Sequence, residues 1–308
     1  MKPKPLQDLP ERPTLSVIIV TFQSAGTLEK TLQALPWHWP GLQVTVIDNH
    51  STDRTPELLK AWAQPAHDRP GRITPIYNMR NRYYAKAVNQ GLTISTGDYI
   101  LLVGPDVQLL PSAVDSLADY LHTHPGVGVV APQLRTVDGQ IQPSCRRFPG
   151  WGDAWLEISG LPRLLPGHVK PHWKMPDFDH TEKAEVEQPE ASCLLIRRQA
   201  LDAVGPMDTR FPLFFNDVDW CFRLRAAQWP IHFFPKAKVR HIKGGSVYNA
   251  RALSIWKSHQ GFYHFMKKHR TKSSGHALLL PCFGLILIAS ALLRYTTLLL
   301  LPTLRHRI

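Results

Sequence analysis

The stretch LSVIIVTF, residues 15–22, is a nearly unbroken run of apolar and β-branched side chains. Such a run is typical of a strand buried on both faces of a parallel sheet. Two further runs behave alike. QVTVI at 43–47 ends directly at Asp48, and YILLV at 99–103 runs into Gly104, Pro105 and Asp106. Helical patterns lie between these runs, so the chain is predicted to alternate strands and helices.

The same reasoning extends along the chain and predicts an α/β fold with a doubly wound sheet and right-handed crossovers. Strands are predicted at 15–22, 43–47, 72–77, 99–103, 127–132, 191–197 and 231–234. Helices are predicted at 26–35, 53–63, 85–95, 198–204 and 217–228. Residues 145–190, rich in Pro, Trp and charge, are predicted to form a long ordered loop or a lid. Ligands of such sheets bind beyond the carboxyl ends of the strands, where Asp48 and Asp106 fall.

The charge is distributed unevenly along the 308 residues, whose formal net charge is +12. Residues 220–308 hold fifteen Lys or Arg and no acidic residue, whereas residues 1–219 have a net charge of −3. This asymmetry indicates an anionic partner for the C-terminal third, such as phospholipid headgroups, nucleic acid or a pyrophosphate substrate. No RNA- or DNA-binding module is recognisable, so nucleic acid is not expected as a partner.

Composition and cysteine spacing exclude several classes of protein. With 44% hydrophobic and 19% charged residues, wholesale disorder is not expected. The four cysteines are widely and irregularly spaced, which argues against a zinc site or a disulfide framework and favours a reducing compartment. Residues 1–13 lack an apolar core, so they are interpreted as a loose arm and not as a signal peptide.

Four short segments carry polar side chains suited to chemistry, and each has a plainer structural interpretation. Asp48 can accept hydrogen bonds from a base or ribose, although an Asx turn with a helix cap would also explain this segment. Asp106 can hold a divalent metal, or belong to a simple Pro turn. Asp217 and Asp219 can supply a general base, or simply favour a helix N-terminus. His241 offers an imidazole ligand beside a Gly-rich turn, or is an ordinary surface histidine.

Together these segments resemble glycosyltransferase family 2, and in particular its rhamnosyltransferase-like, cell-envelope branch with the GT-A fold. The resemblance covers residues 14–250 approximately and rests on the order of the following segments: LSVIIVTF (15–22), VIDNHSTD (46–53), NRYYAKAVNQG (81–91), GDYILLVGPDV (97–107), ASCLLIRRQALDAVGPMDTRF (191–211), FFNDVDWCFRLR (214–225) and RHIKGGS (240–246).

The resemblance implies an inverting, metal-dependent transferase and a role for each matching residue. Asp217 matches the base that deprotonates the acceptor hydroxyl, and Asp219 and Asn216 are supporting residues. Asp106 and His241 match ligands of Mg²⁺ or Mn²⁺, the expected cofactor. The residues implied in binding the nucleotide sugar are Thr21, Asp48, Asn49, Asn81, Asn89 and Gly104. One base acting in a single in-line displacement gives inversion.

Three positions depart from the family pattern. Gly104 stands where the family commonly has Asn, which removes one side-chain ligand from the metal site. Asn216 stands where Glu is usual, and Tyr83 where Gly is usual. Gly104 and Asn216 support a second hypothesis, a catalytically inactive homologue that binds glycan or acts as a scaffold in envelope polysaccharide assembly. Because Asp48, Asp106, Asp217 and His241 are all present, an active enzyme is favoured.

The C-terminal region predicts contact with a membrane. Residues 277–293 carry no charge, Arg294 follows, and basic residues flank both ends. A transmembrane span requires Arg294 to snorkel or to lie at the membrane boundary, and an in-plane or re-entrant hairpin fits at least as well. The plainer alternative is a buried core helix or an oligomer interface. The resulting division is an arm at 1–13, a nucleotide-sugar-binding half at 14–110, an acceptor-binding and catalytic half at 111–250, and a membrane-associating region at 251–308.

The resemblance to this branch of the family implies transfer from dTDP-rhamnose or a UDP-sugar to a lipid-linked or cell-envelope glycan acceptor. The enzyme is then expected at the cytoplasmic face of the inner (plasma) membrane, peripheral or with one C-terminal membrane segment, in contact with anionic lipids.

Overall fold

The computed structural model describes residues 13–64, 73–159, 168, 171–242, 251–271 and 274–300. Its strands are β1 Leu15–Thr21, β2 Gln43–Asp48, β3 Ile73–Tyr77, β4 Tyr99–Val103, β5 Val107–Leu109, β6 Val129–Arg135, β7 Cys145–Arg146, β8 Ala184–Glu185, β9 Gln188–Pro189, β10 Cys193–Arg197 and β11 Ile231–His241. Its α-helices are α1 Ala25–Gln33, α2 Thr55–Ala63, α3 Tyr83–Ile94, α4 Ala113–Thr123, α5 Trp151–Ser159, α6 Arg198–Val204, α7 Asn216–Ala226, α8 Arg251–His269 and α9 Ser274–Leu300.

One mixed sheet forms the centre of the fold, in the order β3-β2-β1-β4-β10-β6-β11-β5, with β8 paired to β11. Strands β1 to β4 run parallel, β10 is antiparallel to both its neighbours, and β11 is parallel to β6. The predicted α/β architecture, a mixed sheet flanked by helices, is confirmed. β5 pairs with β11, so residues from both predicted halves of the chain build one continuous sheet.

Strand β1 is buried on both faces, as its sequence predicts. Leu15, Val17 and Ile19 belong to the core under α1, α2 and α4, whereas Ile18 and Val20 belong to the core under α3, α6 and α7. Alternate side chains of a strand point to opposite faces, so one short apolar run contributes to two hydrophobic cores at once.

The prediction did not include β5 or α4, and it ended β11 too early. Helix α4 was not predicted, although Val114, Leu117 and Leu121 recur at helical spacing and are buried. Strand β11 runs to His241 instead of ending at residue 234, because a register shift between Phe234 and Lys238 lets the strand continue past Pro235. Proline is tolerated in a strand at such an irregularity, where no ladder hydrogen bond is lost.

The segment 145–190, predicted as a loop or lid, contains short ordered elements within its described part. They are β7, α5, a 3₁₀ turn at His172–Lys174, β8 and β9, and β7 pairs with β9. The predicted arm, residues 1–13, lies outside the described residues except for Pro13.

Helices α8 and α9 form a hairpin that packs on the rest of the fold. Phe265 of α8 and Phe283 and Leu287 of α9 share an apolar cluster with Phe211 and with Ala154 of α5. The opposite face of α9 is apolar but uncovered: Leu278, Leu285 and Leu293 are 79%, 69% and 68% exposed. Among the described residues, Gly275–Thr297 is the one segment long and apolar enough to cross a membrane, judged by length and composition only.

Asp219 fastens this hairpin to α7. Its fully buried carboxylate accepts hydrogen bonds from Arg223 Nε at 3.0 Å, Lys268 Nζ at 2.6 Å and His269 Nε2 at 2.7 Å. Burial by itself would raise the pKa of Asp219, but the hydrogen bonds from His269 and Lys268 outweigh it and the pKa is lowered. The supporting role predicted for Asp219, orienting a helix or an arginine, agrees with these contacts.

We expect Asp219→Asn to destabilise the protein by about 3 kcal/mol, because removing one member of a buried charge network leaves its cationic partners uncompensated. The midpoint of thermal unfolding measures the loss. Since the folded-state pKa is lowered, the stabilisation is present above the ordinary carboxyl pKa and disappears as the pH falls through the folded value. The difference between the two proteins should therefore shrink on acidification.

Asp202→Asn is the matched control, because Asp202 is an exposed carboxylate on α6. It should unfold within about 0.5 kcal/mol of the native protein. Equal unfolding midpoints for Asp219→Asn and Asp202→Asn at neutral pH would contradict the proposed fastening of α8 to α7.

Candidate active site at the carboxyl edge of the sheet

The direction of the strands brings the predicted residues to one edge of the sheet. Parallel strands β1, β2 and β4 end at Thr21, Asp48 and Val103. β10 runs the opposite way and pairs Cys193 with Val103, so the residues just before β10 lie at this edge as well. β11 runs in the same direction as β6 and ends there at His241. Segments far apart in the sequence therefore meet beyond the same edge.

Asp48 lies at the end of β2, next to Thr21 in the register of β1 and β2. Its buried carboxylate accepts a hydrogen bond from the backbone N–H of Ser51 at 3.2 Å. Asp53 accepts hydrogen bonds from the backbone N–H groups of Thr55 and Ala25 and so holds the starts of α2 and α1. The plainer capping interpretation is thus correct for Asp53. The Thr21 hydroxyl is buried and has no protein partner.

Asn49 organises the loop before α3. Its side-chain oxygen accepts a hydrogen bond from the backbone N–H of Arg82 at 2.9 Å, and its amide nitrogen donates to the carbonyl of Tyr83 at 3.2 Å. Asn81 accepts a hydrogen bond from the backbone N–H of Tyr83 at 2.8 Å. These contacts give Asn49 and Asn81 a structural role in shaping a loop beside Asp48, and direct contact with a nucleotide stays a prediction.

Tyr83 explains one departure from the family pattern. Its φ is +61°, in the left-handed region where glycine is favoured and other residues are strained. Lys257 Nζ of α8 lies 5.2 Å from the centroid of the Tyr83 ring. The tyrosine therefore keeps the backbone conformation for which glycine is suited and adds a cation–π contact with α8.

Asn89 does not join the others at this edge. Its amide nitrogen donates to the carbonyl of Met207 at 2.8 Å, and its oxygen accepts from the N–H of Met207 at 2.9 Å. Both amide atoms are occupied by backbone, so the structure gives Asn89 a role in joining α3 to the turn at Met207. The predicted contact with the nucleotide sugar finds no support in these contacts.

Asp106 and His241 come together between β4 and the end of β11. Asp106 Oδ1 lies 3.6 Å from His241 Nε2, and the carbonyl of Asp106 accepts a hydrogen bond from the N–H of Ile242. Gly104 leaves room for this arrangement, because a Cβ at that position would lie 2.9 Å from Asp106 Oδ1. A larger residue at 104 would require the carboxylate to move.

The far side of the His241 ring is also contacted. Nδ1 lies 3.0 Å from Gln142 Nε2 and 3.8 Å from Glu190 Oε1. Glu190 in turn accepts a hydrogen bond from the Ser192 hydroxyl at 2.7 Å. Glu190 is the kind of acceptor to which a metal-binding imidazole donates its second N–H, whereas the amide nitrogen of Gln142 is itself a donor. Both neighbours restrict the orientation of the ring.

Asp106 and His241 could supply two of the ligands of a divalent cation. A carboxylate oxygen and an imidazole nitrogen 3.6 Å apart can both reach one ion at about 2.1 Å with little movement. Among the described residues there is no group of three or more His, Cys, Asp or Glu side chains that could hold a metal. The remaining ligands would therefore have to be donor phosphates and water, as is usual for Mg²⁺ at phosphate sites.

Asp217 lies in the first turn of α7. Its Oδ2 accepts a hydrogen bond from Gln188 Nε2 at 3.0 Å, and its Oδ1 accepts one from the N–H of Val218 at 2.9 Å. Desolvation by the surrounding protein, with a smaller contribution from the negative charge of Glu190, raises the pKa of Asp217 to about 6. A carboxylate with a pKa near neutrality is suited to general base catalysis.

Tyr84 connects the two acidic positions. Burial raises the pKa of its phenol, and the negative charges of Asp217 and then Asp106 raise it further. Both carboxylates therefore lie near enough to Tyr84 for their charges to affect its hydroxyl.

Asn216 is buried, and its Nδ2 donates to the carbonyl of Leu213 at 2.9 Å. A glutamate at this position has no N–H with which to donate to that carbonyl. Asparagine at 216 therefore makes a hydrogen bond to the backbone that glutamate could not make. This contact gives Asn216 a structural role.

Sequence reasoning missed Tyr84, Gln142, Gln188 and Glu190. Tyr84 belongs to the segment NRYYAKAVNQG but was not singled out there, and Gln142 and Gln188 come from the irregular middle of the chain. Their only signal is position, since Glu190 directly precedes the strand 191–197, whose start is predicted to reach the sheet edge. The Gly-rich cationic turn after His241, residues 243–246, lies outside the described residues.

Comparison with known proteins identifies the family of the chain. The profile of Glycosyl transferase family 2 matches residues 16–204. The N-acetylglucosaminyl-diphospho-decaprenol L-rhamnosyltransferase of Mycobacterium tuberculosis is 29% identical over 272 residues, covering 82% of this chain and 83% of that protein. The low-salt glycan biosynthesis hexosyltransferase Agl10 of Haloferax volcanii is 23% identical over 68% of this chain and 61% of its own length.

Solved structures show the same fold at low identity. The mannosyltransferase PcManGT of Pyrobaculum calidifontis, in complex with GDP-Man and Mn²⁺, has a TM-score of 0.59 at 17% identity and covers 92% of this chain and 76% of its own. TarS 1–349 of S. aureus, in complex with UDP-GlcNAc, has a TM-score of 0.53 at 15% identity, with 86% and 75% covered. The profile match over most of the sheet shows that this chain belongs to glycosyltransferase family 2 and has the GT-A fold.

Proposed function

We propose that the protein is an inverting, metal-dependent glycosyltransferase that moves a sugar from dTDP-rhamnose or a UDP-sugar to a lipid-linked acceptor. The observation that carries the proposal is the pairing of Asp106 with His241 on one side of the site and a carboxylate of raised pKa, Asp217, on the other. The similarity to a rhamnosyltransferase whose name specifies a diphospho-decaprenol acceptor supports the choice of substrate class.

Asp217 acts as the base in this proposal. It accepts the proton of the acceptor hydroxyl while the oxygen forms its bond to the anomeric carbon and the bond to the donor phosphate breaks. Gln188 donates to Oδ2 of Asp217 and so orients the carboxylate. Attack from the face opposite the leaving group inverts the configuration at the anomeric carbon, because only one displacement takes place.

The nucleoside diphosphate leaves on the side of Asp106 and His241. A divalent cation there supplies charge neutralisation of the leaving diphosphate. Gln142 and Glu190 hold the His241 ring in place, and Gly104 keeps space for the Asp106 carboxylate. Asp48, at the end of β2, is proposed to accept hydrogen bonds from the nucleoside.

The C-terminal hairpin is proposed to place the enzyme on the cytoplasmic face of the inner (plasma) membrane. One face of α9 packs on the catalytic domain through Phe283 and Leu287, and the other exposes leucine and isoleucine. A helix with one face packed on protein and the other exposed and apolar is suited to lie in the membrane plane, and this orientation is proposed over a perpendicular span. The Lys and Arg residues of the C-terminal third match anionic headgroups.

The second candidate, an inactive homologue, rested on Gly104 and Asn216. Both have local structural reasons that leave Asp106, Asp217 and His241 in place. The site geometry therefore favours the enzyme.

The direct test is nucleotide release from a panel of dTDP-rhamnose, UDP-glucose, UDP-galactose, UDP-GlcNAc and GDP-mannose, with Mg²⁺ or Mn²⁺ and membrane extract as the acceptor source. We expect one donor to turn over, and Asp217→Asn to lower kcat by at least about 10²-fold, the typical size of a general base effect. Absence of turnover together with absence of a metal-dependent thermal shift by any donor would support the inactive homologue instead.

The raised pKa of Asp217 predicts the pH dependence of the reaction. The base must be deprotonated, so kcat/KM should fall as the pH drops below about 6. Because the charge of Glu190 contributes to the raised pKa, Glu190→Gln should move this acidic limb to lower pH. Asp202→Asn, on the exposed surface of α6, should leave it unchanged. An acidic limb that does not respond to Glu190→Gln would contradict the assignment of Asp217 as the base.

Metal ligation is tested by the affinity for a nucleoside diphosphate with and without Mn²⁺, measured by calorimetry. Asp106→Ala and His241→Ala should each weaken the Mn²⁺-dependent part of the affinity by at least about tenfold, since even outer partners of metal ligands have effects of that size. Asp48→Ala is the contrasting variant, because it should weaken binding equally with and without Mn²⁺. Unchanged Mn²⁺ dependence in both ligand variants would rule out this metal site.

A further inference from the structure

Two adjoining cavities lie along the hairpin of α8 and α9. The inner cavity, of about 200 Å³, is lined among others by Trp173, Phe215, His259, Leu287, Ser290 and Arg294. The outer cavity, of about 460 Å³, shares His259 and Leu287 with it and extends to Trp256, Tyr263, Leu285 and Ile288. The outer volume is in the range of ligand-binding pockets. Together they form a mostly apolar groove, whose inner part also carries the polar side chains of Ser258, His259, Ser290 and Arg294.

The inner end of the groove carries a positive charge in an otherwise apolar helix. Arg294 is the one Lys, Arg, Asp or Glu in the sequence of α9. Ser290 lies one turn before it, and the Ser290 hydroxyl is 3.3 Å from Nε2 of the buried His259. His259 Nδ1 donates to the carbonyl of Ile255 at 2.7 Å, which orients the ring towards α9. Ionisable residues in apolar segments of this kind generally mark a binding function.

The inner cavity is directly connected to the catalytic helix. Phe215 lines it and immediately precedes Asn216 and Asp217. Helix α8 approaches this segment so closely that a Cβ at Gly261 would lie 2.9 Å from the carbonyl oxygen of Phe214. A molecule bound at Arg294 therefore lies next to the segment that carries the proposed base.

The outer cavity opens on the uncovered apolar face of the hairpin. Trp256, Leu285 and Ile288 line it and are among the most exposed large apolar residues of the protein. Exposed apolar surface of this extent marks a membrane or ligand contact. A hydrocarbon chain in the groove can thus pass from the membrane into the protein without crossing a polar surface.

We propose that this groove binds the isoprenoid diphosphate part of the lipid-linked acceptor, with Arg294 on the diphosphate and the first isoprene units in the outer cavity. The inference rests on the proposed function and adds the location of its acceptor. Charge complementarity selects an anionic lipid, and continuity with Phe215 places the sugar attached to the diphosphate towards Asp217. Guanidinium groups are well suited to phosphate oxygens because they donate two parallel hydrogen bonds.

Farnesyl diphosphate is the probe for a binding test on the full-length protein in phosphatidylcholine nanodiscs. EDTA is included so that the probe does not bind through a metal at Asp106. Trp173 and Trp256 line the groove, so we expect saturable quenching of tryptophan fluorescence by the probe and little by farnesol. Arg294→Gln should weaken binding about tenfold or more, the effect of losing a hydrogen bond to a charged group.

Matched variants distinguish specific binding in the groove from nonspecific effects of charge and hydrophobicity. Arg294→Lys should retain part of the affinity, and Lys267→Gln, which removes an exposed cation at the end of α8, should retain all of it. Ser290→Phe should fill the inner cavity and raise the KM for the lipid-linked acceptor. Ala289→Phe places the same side chain at the neighbouring exposed position and should leave that KM unchanged. Donor hydrolysis without acceptor should be the same in all four variants.

The outcomes distinguish this inference from the proposed function. Sugar transfer with an unchanged acceptor KM in Arg294→Gln and Ser290→Phe would overturn the groove and leave the function intact. Arg294-dependent probe binding in a protein that hydrolyses no donor would overturn the function and leave the groove intact. Displacement of the probe by phosphatidylglycerol in the nanodisc, at equal molar amounts, would identify an ordinary phospholipid site and overturn the acceptor assignment.

Discussion

Burial of the central strands on both faces is the constraint from which the rest of the structure follows. β1, β2 and β4 are buried almost throughout, and helices cover them above and below. Ionised groups are excluded from such a core unless they are paired. Side chains that do chemistry can therefore be placed only where the strands end, and because these strands run parallel their carboxyl ends lie at one edge. The positions of Asp48 and Asp106 are a direct consequence.

The antiparallel strand β10 contributes residues to the site from its beginning, whereas the parallel strands contribute residues from their ends. It begins at the edge where its neighbours end, and so brings Glu190 and Ser192 next to Gly104 and His241. The irregularity in β11 has a comparable effect, because it lets the strand pass Pro235 and reach as far as His241. Catalytic geometry in this protein thus depends on one strand reversal and one local break in register.

The C-terminal hairpin of α8 and α9 packs on the segments that carry the candidate site, and its other face is apolar and exposed. Asp219 ties α8 to α7, Lys257 lies over Tyr83, and Gly261 packs on the backbone beside the proposed base. In the proposed function, a helix pair that contacts both the Tyr83 loop and α7 can align a lipid-linked acceptor with the donor. The departure from glycine at Tyr83 is part of this contact, because the ring provides the surface on which Lys257 rests.

The sequence by itself determined the strand and helix alternation, the buried strands and the family, because apolar periodicity and the order of motifs are local properties. It also picked out Asp48, Asp106, Asp217 and His241, which stand at strand or helix ends. It did not reveal Glu190, Gln188 or Gln142, whose roles arise from contacts between distant segments, and it suggested a ligand role for Asn89, whose amide is occupied by Met207. Only the tertiary structure decided these, because hydrogen-bond partners and desolvation depend on which segments meet in space. The raised pKa of Asp217 and the groove at Arg294 both depend on residues from several distant segments, so neither can be read from one stretch of sequence.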